Sequence, residues 1–90
     1  MKTVKLIDQG EFKAKDVLRD VLRAAPAGGL DLVVMSQRVD LIKAVAAVGD
    51  TLTLEDAPFV ALKAAIEGFR FGMADEGLLA VLTAAITPVE

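Results

Sequence analysis

The sequence predicts an α+β fold, mostly helical, with the element order β-α-α-β-α-α and a small two-stranded sheet. Three observations lead there. Residues 3–8 read TVKLID and residues 51–56 read TLTLED, two short alternating phrases of the kind that form half-buried strands. Each phrase is followed by two stretches in which apolar residues recur at helical spacing. Breakers separate the stretches: Pro26-Ala27-Gly28-Gly29, Gly49-Asp50 and Pro88.

In the first phrase Val4 and Leu6 share one face, while Thr3, Lys5 and Ile7 share the other. Asp8-Gln9-Gly10 is a turn signal, and from Glu11 the period changes. Val17, Leu18, Val21, Leu22 and Ala25 then form a helical stripe opposite Lys15, Asp16, Arg19, Asp20 and Arg23. Asp16–Arg19 and Asp20–Arg23 are favourable pairs three residues apart on that polar side. Pro26 and the two glycines end the helix. Asp31 is placed to cap the next one. There Leu32, Met35, Val39, Ile42 and Ala46 form one stripe, with Val34, Leu41, Val45 and Val48 beside it. A helix apolar over most of its circumference is expected at the centre of the molecule.

The second phrase puts Leu52 and Leu54 in the inward places of Val4 and Leu6, with Thr51, Thr53 and Glu55 outward. Asp56 suits an N-cap, with Pro58 in the first turn, where a missing N–H costs nothing. Phe59, Leu62, Ile66 and Phe69 mark the buried side of the third helix. Asp75 with Glu76 behind it opens the fourth, whose expected buried side is Leu78, Leu79, Leu82, Ala85 and Ile86. Residues 1–90 form one domain, divisible into two weakly similar β-α-α halves, 1–48 and 50–88. Two short strands in one small chain most simply pair with each other and cover one face with helices.

Composition narrows the function. The chain has no His, Cys, Tyr or Trp and a single Ser, Ser36. Without His there is no ready general base near neutral pH, and Ser36 has no triad partner. Without Cys there are neither disulfides nor thiolate metal sites. The acidic doublets Glu55-Asp56 and Asp75-Glu76 sit where helices begin, where capping and dipole complementarity account for them. Gly28-Gly29 lacks the flanking pattern of a phosphate loop. The expectation is a protein that is not an enzyme and needs no cofactor or metal.

The chain is 54% hydrophobic, high for this length, so some apolar surface is expected to meet another chain, including a second copy as a homodimer. No apolar run approaches a membrane span, and the N-terminus turns acidic before any apolar leader forms, which predicts a cytoplasmic protein without membrane contact. Net charge is −3, against non-specific nucleic-acid binding, but it is unevenly spread. Residues 1–45 carry eight Lys/Arg and six Asp/Glu (+2), and residues 46–90 carry two and seven (−5). The most distinctive local stretch is GFRFGMAD, residues 68–75, which gathers Phe69, Arg70, Phe71 and Met73 around one loop. Arg70, Phe71 and Met73 are therefore the first candidate contact surface for a protein partner. The outward strand residues Thr3, Lys5, Thr51 and Thr53 are the second.

Residues 3–48, strand-helix-helix, resemble the ribbon-helix-helix repressors, whose paired strands from two chains enter the major groove. That resemblance implies Thr3 and Lys5 as base readers, with Lys2 and Lys13 near phosphate, and nucleic acid as an alternative partner. The Gly28-Gly29-Leu30-Asp31 turn matches that family's entry to its second helix only loosely, and the acidic second half departs from it. The whole chain, above all LTLEDAPFVALKAAIEGFRFGMADEGLLAVL, also resembles the small accessory proteins encoded in phage and prophage operons. Those are short, acidic and Cys-free and act by binding another protein, so this likeness implies a protein-interaction or regulatory module.

Overall fold

Alternation turns the two phrases into strands that pair with each other. The computed structural model describes residues 1–89 and has the expected element order. It runs β1 (Lys2–Lys5), α1 (Ala14–Arg23), α2 (Leu32–Ala47), β2 (Thr51–Leu54), α3 (Asp56–Gly68) and α4 (Glu76–Ala85). β1 and β2 form an antiparallel sheet in the register Lys2–Leu54, Thr3–Thr53, Val4–Leu52 and Lys5–Thr51. Val4 and Leu52, at the same place in the two phrases, face each other and are fully buried. The Leu6 N–H extends the ladder to the Asp50 carbonyl at 2.8 Å. On the other edge of β1 the Val89 N–H donates to the Thr3 carbonyl at 2.9 Å. The ribbon that the repressor resemblance places between two chains is completed here within one.

After β1 the chain makes a tight turn in which Gln9 and Phe12 exchange backbone hydrogen bonds at 2.8 and 2.9 Å. Gly10 sits in it at φ +57°, a conformation that costs glycine little. The turn delays α1 to Ala14, later than the change of period at Glu11 suggests. Asp8 acts as a remote cap, its Oδ1 accepting from the Ala14 N–H at 2.8 Å. Leu18, Val21 and Leu22 of α1 are buried as expected, whereas Ala25 lies beyond the helix and is exposed. Arg19 reaches both Asp16 (3.5 Å) and Asp20 (3.4 Å).

Asp31 caps α2 by accepting from the Val34 N–H at 2.8 Å, and Asp75 caps α4 by accepting from Gly77 and Leu78. Asp56 does not cap α3. Glu55 holds the N-cap position, and Asp56 in the first turn lies 3.6 Å from the N-terminal ammonium. The core gathers Val4 and Leu6 with Leu52 and Leu54, then Leu18 and Leu22, Phe59, Leu62 and Ile66, and finally Val81, Leu82 and Ala85. One face of the ribbon is thereby covered, and α1 packs against the other three helices.

Two expectations about burial fail. α2 is peripheral rather than central: only Leu41 and Val45 are buried, while Leu32, Met35 and Val39 are exposed. The short neighbours α1 and α3 cover the side of Leu41 and Val45, and the stripe begun by Leu32, Met35 and Val39 is left outside. In α4, Val81 takes the buried place and Leu79 is 64% exposed. That helix is apolar on nearly every side, so its periodicity did not choose between the two.

Candidate functional site

The stretch around Phe71 is shaped by the end of one helix and the start of another. α3 ends at Gly68, and the Phe69 N–H closes it on the Ile66 carbonyl at 3.3 Å. Phe69 is half-buried against the core rather than part of the helix itself. Phe71 lies beside it, ring centroids 4.6 Å apart and tilted by 57°. The chain then returns through Met73 to Asp75, whose Oδ1 accepts from the N–H groups of Gly77 (2.8 Å) and Leu78 (3.1 Å). That cap fixes the direction of α4, and Gly77 lets its first turn come close to Gln9 and Phe12.

The result is a cleft of about 430 Å³ between this loop and α4. Phe71, Met73, Leu78, Leu79 and Leu82 line it, together with Asp75 and Glu76. Met73 is 59% exposed and Phe71 38%, so two of the three residues expected here do form one accessible apolar surface. Leu79 joins them although it was expected in the core.

Arg70 is the exception. It lines a different hollow, of about 560 Å³, with Arg38, Phe69, the Ala24–Ala27 turn that follows α1 and small residues of α3. There the helices α1 and α3 end, and their last carbonyls carry partial negative charge. Arg38 Nη1 donates to the carbonyls of Ala24 (3.0 Å), Val21 (3.4 Å) and Leu22 (3.4 Å). Arg70 therefore stands beside helix C-termini, not as the polar partner of Phe71 and Met73. Sequence reasoning also missed Arg38, which looks like any polar residue of α2 but holds that helix onto α1.

The second candidate surface is the outer face of the ribbon. Thr3 stands opposite Thr53 and Lys5 opposite Thr51, and the Thr3 and Thr53 hydroxyls are hydrogen-bonded at 2.9 Å. Lys5, Thr51 and Thr53 are exposed and Thr3 is half-exposed. Lys5 is the cation of this face, and Asp50 and Glu55 lie next to β2. None of these residues lines the Phe71 cleft, so the two candidates are separate surfaces.

Among the described residues no group of three or more His, Cys, Asp or Glu could hold a metal ion, and no helix is long and apolar enough to cross a membrane. Ser36 is exposed on α2. Compared with known proteins, the chain matches no family model, no curated protein and no solved structure.

Proposed function

We propose that this chain is a non-enzymatic, cytoplasmic protein-interaction or regulatory module that docks a protein partner in the Phe71–Met73–Leu79 cleft. The observation that supports this is the placing of three large apolar side chains on the outside as the walls of one concavity. Scattered exposed apolar residues are ordinary, but ones converging on a cleft suit an anchor side chain of another protein. Asp75 and Glu76 in its lining favour a partner segment with a bulky apolar residue beside Lys or Arg. The likeness to phage and prophage accessory proteins suits the same role.

A peptide library displayed against the protein tests it. Enriched peptides should carry an apolar anchor with a neighbouring cation. Their affinity should fall about 30-fold for Leu79→Asp or Met73→Asp, the roughly 2 kcal/mol of a central anchor. Val60→Asp, on the exposed side of α3, should bind them like wild type. Equal binding by all three variants would remove the cleft from the account.

A second reading, nucleic-acid binding through the ribbon, draws on the unbroken outer face of Thr3, Lys5, Thr51 and Thr53. The neighbouring carboxylates Asp50 and Glu55 weigh against it, because phosphate contact dominates such affinity. Lys5→Glu separates the two readings. A ribbon repressor would lose its DNA affinity and salt dependence, whereas peptide binding in the cleft should not change.

A further inference from the structure

The strand register leaves one edge of the ribbon bare. The Leu6 N–H bonds to the Asp50 carbonyl, so Val4–Leu52 and Lys2–Leu54 are the pairs that exchange hydrogen bonds. Thr51 and Thr53 alternate with them and turn their N–H and C=O groups away from β1, where no hydrogen bond meets them among the described residues. The outer edge of β1 is better covered: Val89 pairs with Thr3, and the strand carries Lys2 and Lys5. β2 reads Thr-Leu-Thr-Leu, with neither Lys nor Pro to block a further strand. Beside it lies a hollow of about 360 Å³. Leu54 borders that hollow with Leu41 and Ala44 of α2 and Ala57 of α3, and Asp40 shares its lining. No residue of β1 takes part, so the hollow lies with the bare edge of β2. Glu55 follows Leu54 directly, and among the described residues neither Asp40 nor Glu55 has an ion-pair partner.

We propose that β2 accepts an extended segment of another protein as a third, antiparallel strand, with an apolar side chain in the Leu54 hollow and a Lys or Arg beside it. Two donors and two acceptors in a row along one edge are met together by the backbone of a strand. Side chains of an added strand alternate between the two faces, so the one level with Leu54 turns toward the helices and meets the hollow. Alanines on both helices leave room there for Leu or Val. The next residue comes level with Glu55, where that carboxylate, with Asp40 at the hollow, favours a cation. A second copy fits this edge less well. The two-fold pairing that satisfies all four groups sets Thr51 level with the other copy's Thr53. That brings the other copy's Asp50, not an apolar side chain, level with Leu54 and toward Asp40. The hollow shares no residue with the Phe71 cleft, so each reading stands without the other.

The capped peptide Arg-Lys-Leu-Thr-Val-Thr carries this pattern, and its titration into isotope-labelled protein tests the proposal by NMR. The Thr51 and Thr53 amides should shift and exchange more slowly with solvent. N-methylation of the two threonines of the peptide, whose N–H groups face β2, should weaken binding at least about tenfold. N-methylation of its leucine and valine, whose N–H groups face away, should leave binding unchanged. That contrast alters only the peptide, so folding of the protein is not in question. Glu55→Lys should weaken the peptide about two- to fivefold, the range of an exposed ion pair, and Leu79→Asp should bind it like wild type. Absence of binding, shifts centred on Phe71 and Met73, or equal losses from both methylated peptides would overturn the proposal. So would slow exchange at Thr51 and Thr53 in the protein alone, at twice the chain mass of 9.5 kDa, which assigns the edge to a second copy.

Discussion

Leu62 touches no solvent and sits where α3 meets the rest of the core, so truncating it leaves a hole the small surrounding structure cannot close. Leu62→Ala should cost about 2–5 kcal/mol in urea denaturation, enough to threaten folding in a domain this small. Leu79→Ala, on the surface, should change stability by less than about 0.5 kcal/mol in the same experiment. That contrast between two leucines is the residue-scale signature of a core position and a surface position. Asp31 illustrates a third role: its carboxylate satisfies the Val34 N–H, so Asp31→Ala should lower stability by about 1 kcal/mol. Asp31 and Asp75 could be read as caps because each stands just before an apolar helical run. Asp56 could not be told from its neighbour, since Glu55 and Asp56 are both acidic and the backbone places the N-cap at Glu55.

At the scale of elements, the strands were legible because alternation with Val, Ile and Leu has one structural meaning in a short run. α1 was legible for a related reason: its polar and apolar sides differ sharply, so only one face can turn inward. α2 and α4 were not. Where nearly every side of a helix is apolar, periodicity leaves its rotation open, and neighbouring elements decide it. α2 is turned by Arg38, whose guanidinium meets the carbonyls ending α1, and by Lys15, which donates to the Val48 carbonyl at the other end. Arg38→Met keeps the apolar stem but strips those carbonyls of their donor. It should cost about 1–3 kcal/mol in urea denaturation, more than Lys43→Met on the outer arc of the same helix. The same ambiguity hid half of the cleft, because Leu79 and Val81 are equally apolar in sequence and only packing sends one in and the other out.

For the whole molecule, one layer of helices covers one face of a ribbon whose two strands belong to the same chain. Chain length limits how much apolar surface this arrangement can hide, and part of the excess shows on the outer stripe of α2 and in the Phe71 cleft. For the cleft, the occupant we propose is a segment of a protein partner. The most direct measurement is amide chemical-shift mapping by NMR as a library-selected peptide is titrated into labelled protein. The account predicts shifts concentrated at Phe71, Met73 and the exposed side of α4 around Leu79, with Thr3, Lys5, Thr51 and Thr53 unmoved. Shifts centred on those four ribbon residues, with the cleft silent, would contradict it.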